Sequence, residues 1–277
     1  MISEQAHGAD IHALILAAGL GTRLRPLTNH WPKCLMPIGD RPLLEYWLQT
    51  LYLSGIKHVL VNLHYCSELV SEFLARPVFS AWVDSIYEPE LHGTAGSLKK
   101  NLSVFKDKTV LLIHADNWCQ CDFSAFIEYH QSQRPKYCPI TMMTFDTDSP
   151  ESCGIVEVDE QGVVRSFHEK VTNPPGNKAN GAVYLIEPEV LEWLVEQESV
   201  NDFSTEVLPN YIGRIATWHN HEILRDIGSA FSLSKAQADP KPERLWLKRD
   251  AWEKQFEAHP IHTMVAEINK QHEVVVI

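Results

Sequence analysis

Apolar and β-prone runs recur along the first half of the chain at 11–17, 58–63, 82–87, 109–114 and 140–145. The run Thr109 to His114 is apolar at successive positions, the pattern of a strand buried on both faces. Between the runs, apolar residues take helical spacing. Leu44, Trp47, Leu48 and Leu51 predict a helix over 43–53, with Gly55 just past its end. Further helices are predicted over 67–74, with Ser67 as its N-cap, and over 124–133. Strand and helix alternating through short connections predict an α/β fold with a doubly wound, mostly parallel, Rossmann-like sheet. In such a sheet, ligands bind at the carboxyl ends of the strands.

After residue 150 the pattern changes. The runs 154–158 and 163–167 flank Asp159-Glu160-Gln161-Gly162, which predicts a hairpin. A strand is expected at 182–186, followed by a helix that Pro188 opens. A helix is expected over 202–211, one or two short strands over 216–224, and a helix over 229–238 capped by Ser229. Asp239-Pro240-Lys241-Pro242 looks like a linker. Beyond it, Trp252 and Phe256, then Met264, Val265 and Ile268, suggest helical turns separated by Pro260. Residues 274–277 are β-prone, and residues 1–10 read as a loose leader. The expected division is therefore a domain over 1–238 and a helical C-terminal extension over 239–277. The extension is too short to fold alone, so it should pack on the body or on another copy.

Charge narrows the function. The 277 residues carry a formal net charge of −12, with 44% hydrophobic and 22% charged residues. Such an acidic chain has no global field to gather nucleic acid, so any phosphate site must be a local basic patch. No apolar run reaches membrane-spanning length, and MISEQAHGAD lacks the look of a signal peptide, so a cytoplasmic protein is expected. The six cysteines read as reduced thiols, since the Cys119-x-Cys121 spacing alone is a poor zinc signal. His219 and His221 stand on one strand face without a third ligand signal and read as structural.

The basic patch is found after the first strand. Gly19-Leu20-Gly21-Thr22-Arg23 can bring backbone N–H groups close to an anion, and Arg23, Arg25 and Lys33 add positive charge. A dinucleotide fingerprint would need a third glycine where Leu24 stands, which disfavours a nicotinamide enzyme, and no G-x-x-x-x-G-K-[ST] occurs. From these residues alone, a phosphate cradle and an ordinary tight turn both remain open.

The longer stretch is more specific. Leu16 to Thr28 (LAAGLGTRLRPLT), Pro32-Lys33, Pro37 and Pro42-Leu43-Leu44 resemble the signature of the sugar-phosphate nucleotidylyltransferases. The resemblance extends through 88–98 (EPELHGTAGSL), Asp116, Gly154, Glu169-Lys170, Asn180-Gly181 and Asp226-Ile227-Gly228-Ser229. It implies transfer of a nucleotidyl group from an NTP to a sugar 1-phosphate, with pyrophosphate released. It implies nucleotide binding by Leu16, Ala18, Gly19, Gly21, Thr22, Arg23, Lys33, Glu90, Gly93 and Thr94, with Gly93 giving close approach to the base. It implies Mg²⁺ on Asp116 and Asp226, and catalysis by Arg23, Lys33, Asp116 and Asp226. The sugar phosphate would meet Asp116, Gly154, Glu169, Lys170 and Asn180, beneath a mobile loop at 173–177.

Each of these residues also has a bland reading. Gly93 and Gly96 could be turn glycines, Asp116 and Asp226 turn formers, and Glu169-Lys170 a solvated pair. The sequence departs from the family at Val171, where proline is common, and at His92, where leucine is. The G-T-A-G loop is more similar to guanylyl- and some uridylyltransferases, which favours GTP with mannose 1-phosphate. The alternatives are UTP, another hexose, amino-sugar or heptose 1-phosphate, and a non-catalytic regulator that binds nucleotide sugars. The partners implied are the NTP and the sugar phosphate, without nucleic acid or membrane, and with a homo-oligomer contact open to the extension. Residues 239–277 cannot build the β-helix that some relatives carry.

Overall fold

The computed structural model describes residue 8 and residues 10–271. Most of the leader and the β-prone 274–277 segment lie outside the described residues. The chain opens with β1 (Ile11–Leu16), then β2 (Pro37–Ile38) and β3 (Arg41–Pro42), which pair with each other, and α1 (Leu43–Leu53). Next come β4 (Val59–Leu63), α2 (Ser67–Leu74), β5 (Val83–Tyr87), α3 (Gly93–Lys100), α4 (Leu102–Phe105) and β6 (Thr109–His114). After β7 (Asn117–Gln120) and α5 (Phe123–Glu128) follow β8 (Ile140–Asp146), β9 (Gly154–Val158), β10 (Val164–Glu169) and β11 (Lys178–Ile186). The remainder is α6 (Pro188–Glu196), β12 (Ile215–His219), β13 (Ile223–Asp226), α7 (Ala230–Ala238), α8 (Ala251–Glu257) and α9 (Ile261–Gln271).

β1 is central and lies parallel to β4 and β6, with β5 parallel beyond β4. β11 runs antiparallel between β6 and β8, and β12 lies parallel outside β8. Of these seven strands β11 is the one reversed, so this part of the sheet is mostly parallel, as the sequence pattern predicts. The β9–β10 hairpin joins it at the start of β11, through Ala179 and Ile155. Alternate residues of the central strands supply two cores. Ala13, Ile15, Leu111 and Ile113 face one, and Leu14, Val110 and Leu112 face the other. A strand needs apolar residues at every position to serve both, which is why β1 and β6 read as unbroken runs.

Several local expectations hold. Gly55 adopts φ +80° after α1, Pro188 opens α6, and the Ser229 hydroxyl accepts from the Ser232 N–H at the start of α7. The 202–211 stretch is helical but irregular, a wide π turn over Phe203–Val207 followed by a tight 3-10 turn over Leu208–Tyr211. Other expectations fail. Ser67 is already inside α2, and the residue before it, Cys66, enters at φ +49° without a side-chain cap. β11 begins at Lys178 rather than 182, since Lys178, Ala179 and Asn180 pair with β8 before a bulge at Gly181 to Val183. The 88–98 loop gives way at Gly93 to α3. The β7 strand and its pairing with β13 have no counterpart in the sequence pattern, although β13 starts within the 216–224 stretch where one or two short strands are expected.

The C-terminal extension packs against the core on the α1 side. Phe256, Ile261 and Val265 are buried there. Among the described residues no helix is long and apolar enough to cross a membrane.

Candidate active site

At the end of β1 the chain leaves the ladder, and the Ala17 N–H is taken by the Asn62 side chain at 2.7 Å. The turn that follows opens on a cavity of about 340 Å³. Gly21 holds φ +61°, and the Thr28 hydroxyl donates to its carbonyl at 2.8 Å. A Cβ on Gly19 would meet nothing within 4 Å, so that glycine leaves free space on the ligand side. Leu16, Ala18, Gly19, Gly21, Thr22 and Arg23 all line the cavity. Arg25 does not.

Lys33 is buried on a 3-10 turn over Lys33–Leu35 and reaches into the same space. Its Nζ donates to Asp116 Oδ2 at 2.7 Å and to Asp226 Oδ1 at 2.6 Å. Arg23 donates to the other Asp226 oxygen, Oδ2, at 2.9 Å. The two aspartates, far apart in sequence, meet because β7 and β13 pair with Asn117 opposite Asp226, and the Ile227 N–H binds the Asp116 carbonyl. Burial would raise the Asp116 carboxyl, but the Lys33 ammonium, aided by His114, holds it below the usual range. Burial lowers the His114 imidazole, against the pull of Asp116, Asp202 and Asp226. Gly228, singled out only as part of a motif, has a geometric role. A Cβ there would lie 2.5 Å from the Arg23 guanidinium and 2.7 Å from Asp226 Oδ2.

The donor set here suits a hard divalent cation. Two carboxylates converge on one point, and Lys33 already bridges them. Among the described residues no three His, Cys, Asp or Glu side chains cluster as a self-sufficient metal cage. A cation at Asp116 and Asp226 would therefore complete its shell with phosphate oxygens and water, the preference of Mg²⁺.

Another part of the cavity lining differs from the sequence expectation. Glu90 is exposed and does not line the space, whereas buried Glu88 does. Glu88 Oε2 accepts from Ser97 Oγ at 2.9 Å, and Asn62 Nδ2 donates to that same Oγ at 3.0 Å. Glu88 Oε1 is buried without a hydrogen-bond partner. The composition of the EPE segment does not distinguish its two glutamates; the end of β5 does, since Glu88 is the residue whose N–H still pairs with the Leu63 carbonyl.

Gly93 and Thr94 line the cavity, but Gly93 is glycine for another reason. It holds φ +75°, and a Cβ on it would collide with the Asn201 carbonyl oxygen. That carbonyl accepts from the Ala95 and Gly96 N–H groups, capping the start of α3. His92 lines the cavity and also meets Lys100 Nζ at 2.7 Å.

Gly154, Glu169, Lys170 and Asn180 lie outside this cavity, on the β9–β11 layer. A Cβ on Gly154 would sit 2.6 Å from Glu169 Oε2, so the glycine makes room for the glutamate. Lys170 is exposed at φ +50°, with its Nζ 3.2 Å from Glu169 Oε1. Asn180 donates to Tyr184 Oη at 2.6 Å and accepts from the Ala182 N–H. This layer reaches the acidic pair through Asn117, whose Nδ2 donates to the Gly181 carbonyl at 3.1 Å. The segment 171–177 has no regular structure, and the Asn177 carbonyl accepts from the Thr147 N–H. His219 and His221 pack ring against ring beside Asp146, away from the cavity, and all six cysteines are free thiols.

Comparison with known proteins adds to this geometry. A family model described as nucleotidyl transferase matches residues 12–242. A mannose-1-phosphate guanylyltransferase from Mycobacterium tuberculosis is 26% identical over 235 residues, covering 83% of this chain and 64% of the relative. A D-glycero-alpha-D-manno-heptose 1-phosphate guanylyltransferase from Campylobacter jejuni is 32% identical over 201 residues, covering 73% of this chain and 86% of the relative. The chain spans between about half and two thirds of the length of the first curated relatives it matches. A solved Bacillus anthracis structure, described as a glucose-1-phosphate thymidylyltransferase, shares the fold with a TM-score of 0.73 at 21% identity. The match covers 84% of this chain and 98% of that one.

Proposed function

The chain belongs to the nucleotidyl transferase family, and from that premise we propose that it transfers a guanylyl group from GTP to a manno-configured sugar 1-phosphate, giving a GDP-sugar and pyrophosphate. The observation that carries the choice of base is the unpartnered Oε1 of buried Glu88. A carboxylate only accepts hydrogen bonds. Guanine offers two adjacent donors, N1–H and the N2 amino group, on one edge. Uracil and thymine offer one donor flanked by two carbonyl oxygens, which a carboxylate repels. Buried acceptors left unpaired cost free energy, so GTP gains where UTP and dTTP lose. The sugar is proposed from the relatives: mannose 1-phosphate first, then D-glycero-α-D-manno-heptose 1-phosphate.

In this reading the backbone N–H groups of 19–23 cradle the triphosphate. Arg23 offsets charge on the departing pyrophosphate, and Lys33 neutralises phosphate oxygens around the α-phosphorus. Such a reaction needs alignment and charge neutralisation rather than a protein nucleophile. Asp116 and Asp226 would hold a divalent cation, Mg²⁺ being the proposed one, whose contribution when bound is further neutralisation of phosphate charge. Glu169 would orient sugar hydroxyls, Lys170 would meet the sugar phosphate, and Asn180 and the Gly154 backbone would flank the ring. Residues 1–238 form the proposed catalytic body, with 239–277 as its extension.

The test is pyrophosphate release with Mg²⁺, scanning GTP, UTP, ATP, CTP and dTTP against a panel of sugar 1-phosphates. Strong turnover with GTP and a manno-configured acceptor is expected. Glu88→Gln should lower kcat/KM for GTP about thirty-fold or more, the loss of one charged hydrogen bond of roughly 2 kcal/mol, and lower that for UTP far less. A wild-type preference for UTP, or an unchanged base ratio in the variant, would overturn the assignment. A folded protein that binds GTP and turns over no pair would point to the regulatory reading instead.

A further inference from the structure

The turn that carries Lys33 has a front and a back. Its front faces the cavity, and the residues that flank it, Trp31 on one side and the β2–β3 hairpin on the other, are contacted by the C-terminal segment from 237 onward. Gln237 spans the β2–β3 hairpin, accepting from the Gly39 N–H at 2.9 Å and donating to the Pro37 carbonyl at 2.5 Å. Arg41 donates to the Pro242 carbonyl, and Gln49 binds the Glu243 carbonyl and the Leu245 N–H. At the turn itself, the Trp31 indole N–H donates to the Leu35 carbonyl at 2.9 Å, closing the loop around Lys33 from below. The Trp31 ring lies 4.2 Å from the His259 ring and 5.9 Å from the Phe256 ring.

α8, which carries Phe256, is anchored independently. Arg76, 3% exposed, binds Glu45 at 2.8 Å and Asp250 at 2.7 Å and reaches Glu253 at 3.5 Å. Arg244 binds Glu253 as well. Buried ion pairs with several partners are costly to disturb, so they fix α8 relative to α1 and α2.

We propose that residues 237–262 act as a strap that positions Lys33, with His259 and Phe256 as positioning residues acting through Trp31. The proposal rests on the reading of Lys33 as a group that meets the reacting phosphates. Its physical basis is rigidity. Lys33 Nζ must stay at hydrogen-bond distance from two carboxylates, and its turn is held by two internal backbone bonds, Leu35 N–H to Pro32 O and Met36 N–H to Lys33 O, and by the Trp31 indole bond. A wall of aromatic rings behind Trp31 limits the turn's motion. Misplacement of a reacting group by about 1 Å can cost about a hundred-fold in rate.

His259 separates this role from plain stabilisation of the extension. Its ring packs on Trp31, while its Nδ1 accepts from the Ile261 N–H at 3.1 Å, ordering the start of α9. His259→Phe keeps a ring and loses the acceptor. His259→Asn keeps a short side-chain acceptor and loses the ring. Three readouts serve: kcat and KM for both substrates, hydrogen exchange of the Leu35 and Met36 amides, and the melting temperature. The expected result is that His259→Asn lowers kcat about ten-fold, leaves each KM within about two-fold, and speeds exchange at both amides. His259→Phe should restore kcat and exchange protection whatever happens to the melting temperature. The strap is overturned if His259→Asn keeps wild-type kcat, if kcat falls without faster exchange, or if the phenylalanine variant loses as much as the asparagine one. Should the wild-type enzyme show no transfer with any pair, the functional reading fails on its own. Unchanged exchange in His259→Asn would then reject the strap, and faster exchange rescued by phenylalanine would keep its mechanical half.

Discussion

Lys33 holds two carboxylates with one ammonium, and Arg23 holds the outer face of the second. Removing the lysine leaves Asp116 and Asp226 facing each other without their shared cation. Lys33→Met should therefore raise the Asp116 pKa and lower kcat about a hundred-fold or more, read by pH titration and steady-state kinetics. Gly228→Ala is the sharper probe, because its only new atom lands against the Arg23 guanidinium. Displacement of Arg23 should cut kcat about ten-fold or more while the unfolding midpoint in urea shifts little. At this scale the sequence shows residue types but not directions. The glycine turn, Arg23, Lys33, Asp116 and Asp226 were legible because a long run of spaced residues carried them. Glu88 was not, since two glutamates stand two apart and only the end of β5 decides which one turns inward. Glu169, Lys170 and Asn180, proposed to meet the sugar phosphate, were named from the sequence, yet their partners in the structure are one another, Tyr184 and the backbone.

Among the elements, α3 shows how a local signal can mislead. Two glycines within four residues read as a loop, because glycine weakens a helix by about 1 kcal/mol relative to alanine. Here a distant carbonyl, that of Asn201, caps the first turn and occupies the space beside Gly93 that a side chain would need. Gly93→Ala should accordingly destabilise the fold by about 2 kcal/mol or more, from the positive φ and the collision together, measured by urea denaturation. The central strands were legible because they face two cores and admit few polar residues. The β7–β13 ribbon was not, since its strands are short and owe their pairing to position rather than composition. Likewise Trp252 and Phe256 announced a helix, but not that its half-buried cap Asp250 and its buried Glu253 would find Arg76.

The whole molecule is acidic, with a net charge of −12, yet its ligand space is bordered by Arg23 and Lys33. Its imidazoles also make stability depend on pH. Burial lowers His12, which stacks on His58 at 4.6 Å and lies near Lys108 and Asp10. Burial also lowers His130, against the opposing effect of Glu187 and in concert with Arg134. Both groups bind a proton less readily when folded than at the usual value of about 6.5, so the unfolded chain takes up more protons as pH falls through that value. Stability is then fully present above about pH 6.5 and declines below it, with a second loss at lower pH as Asp116 and Glu187, held below the usual carboxylate range, become protonated. Thermal melts from pH 8 to pH 4 should show this decline, and His12→Asn should flatten its first part. The ribbon that carries Asp226 also sets an order of events during synthesis. Arg23 and its partner are 203 residues apart, so a growing chain carries the glycine turn long before it carries the second carboxylate. A ribosome-bound fragment that ends before β13 lacks half of the acidic pair. The acidic pair is therefore completed only when β13 has emerged and closed on β7.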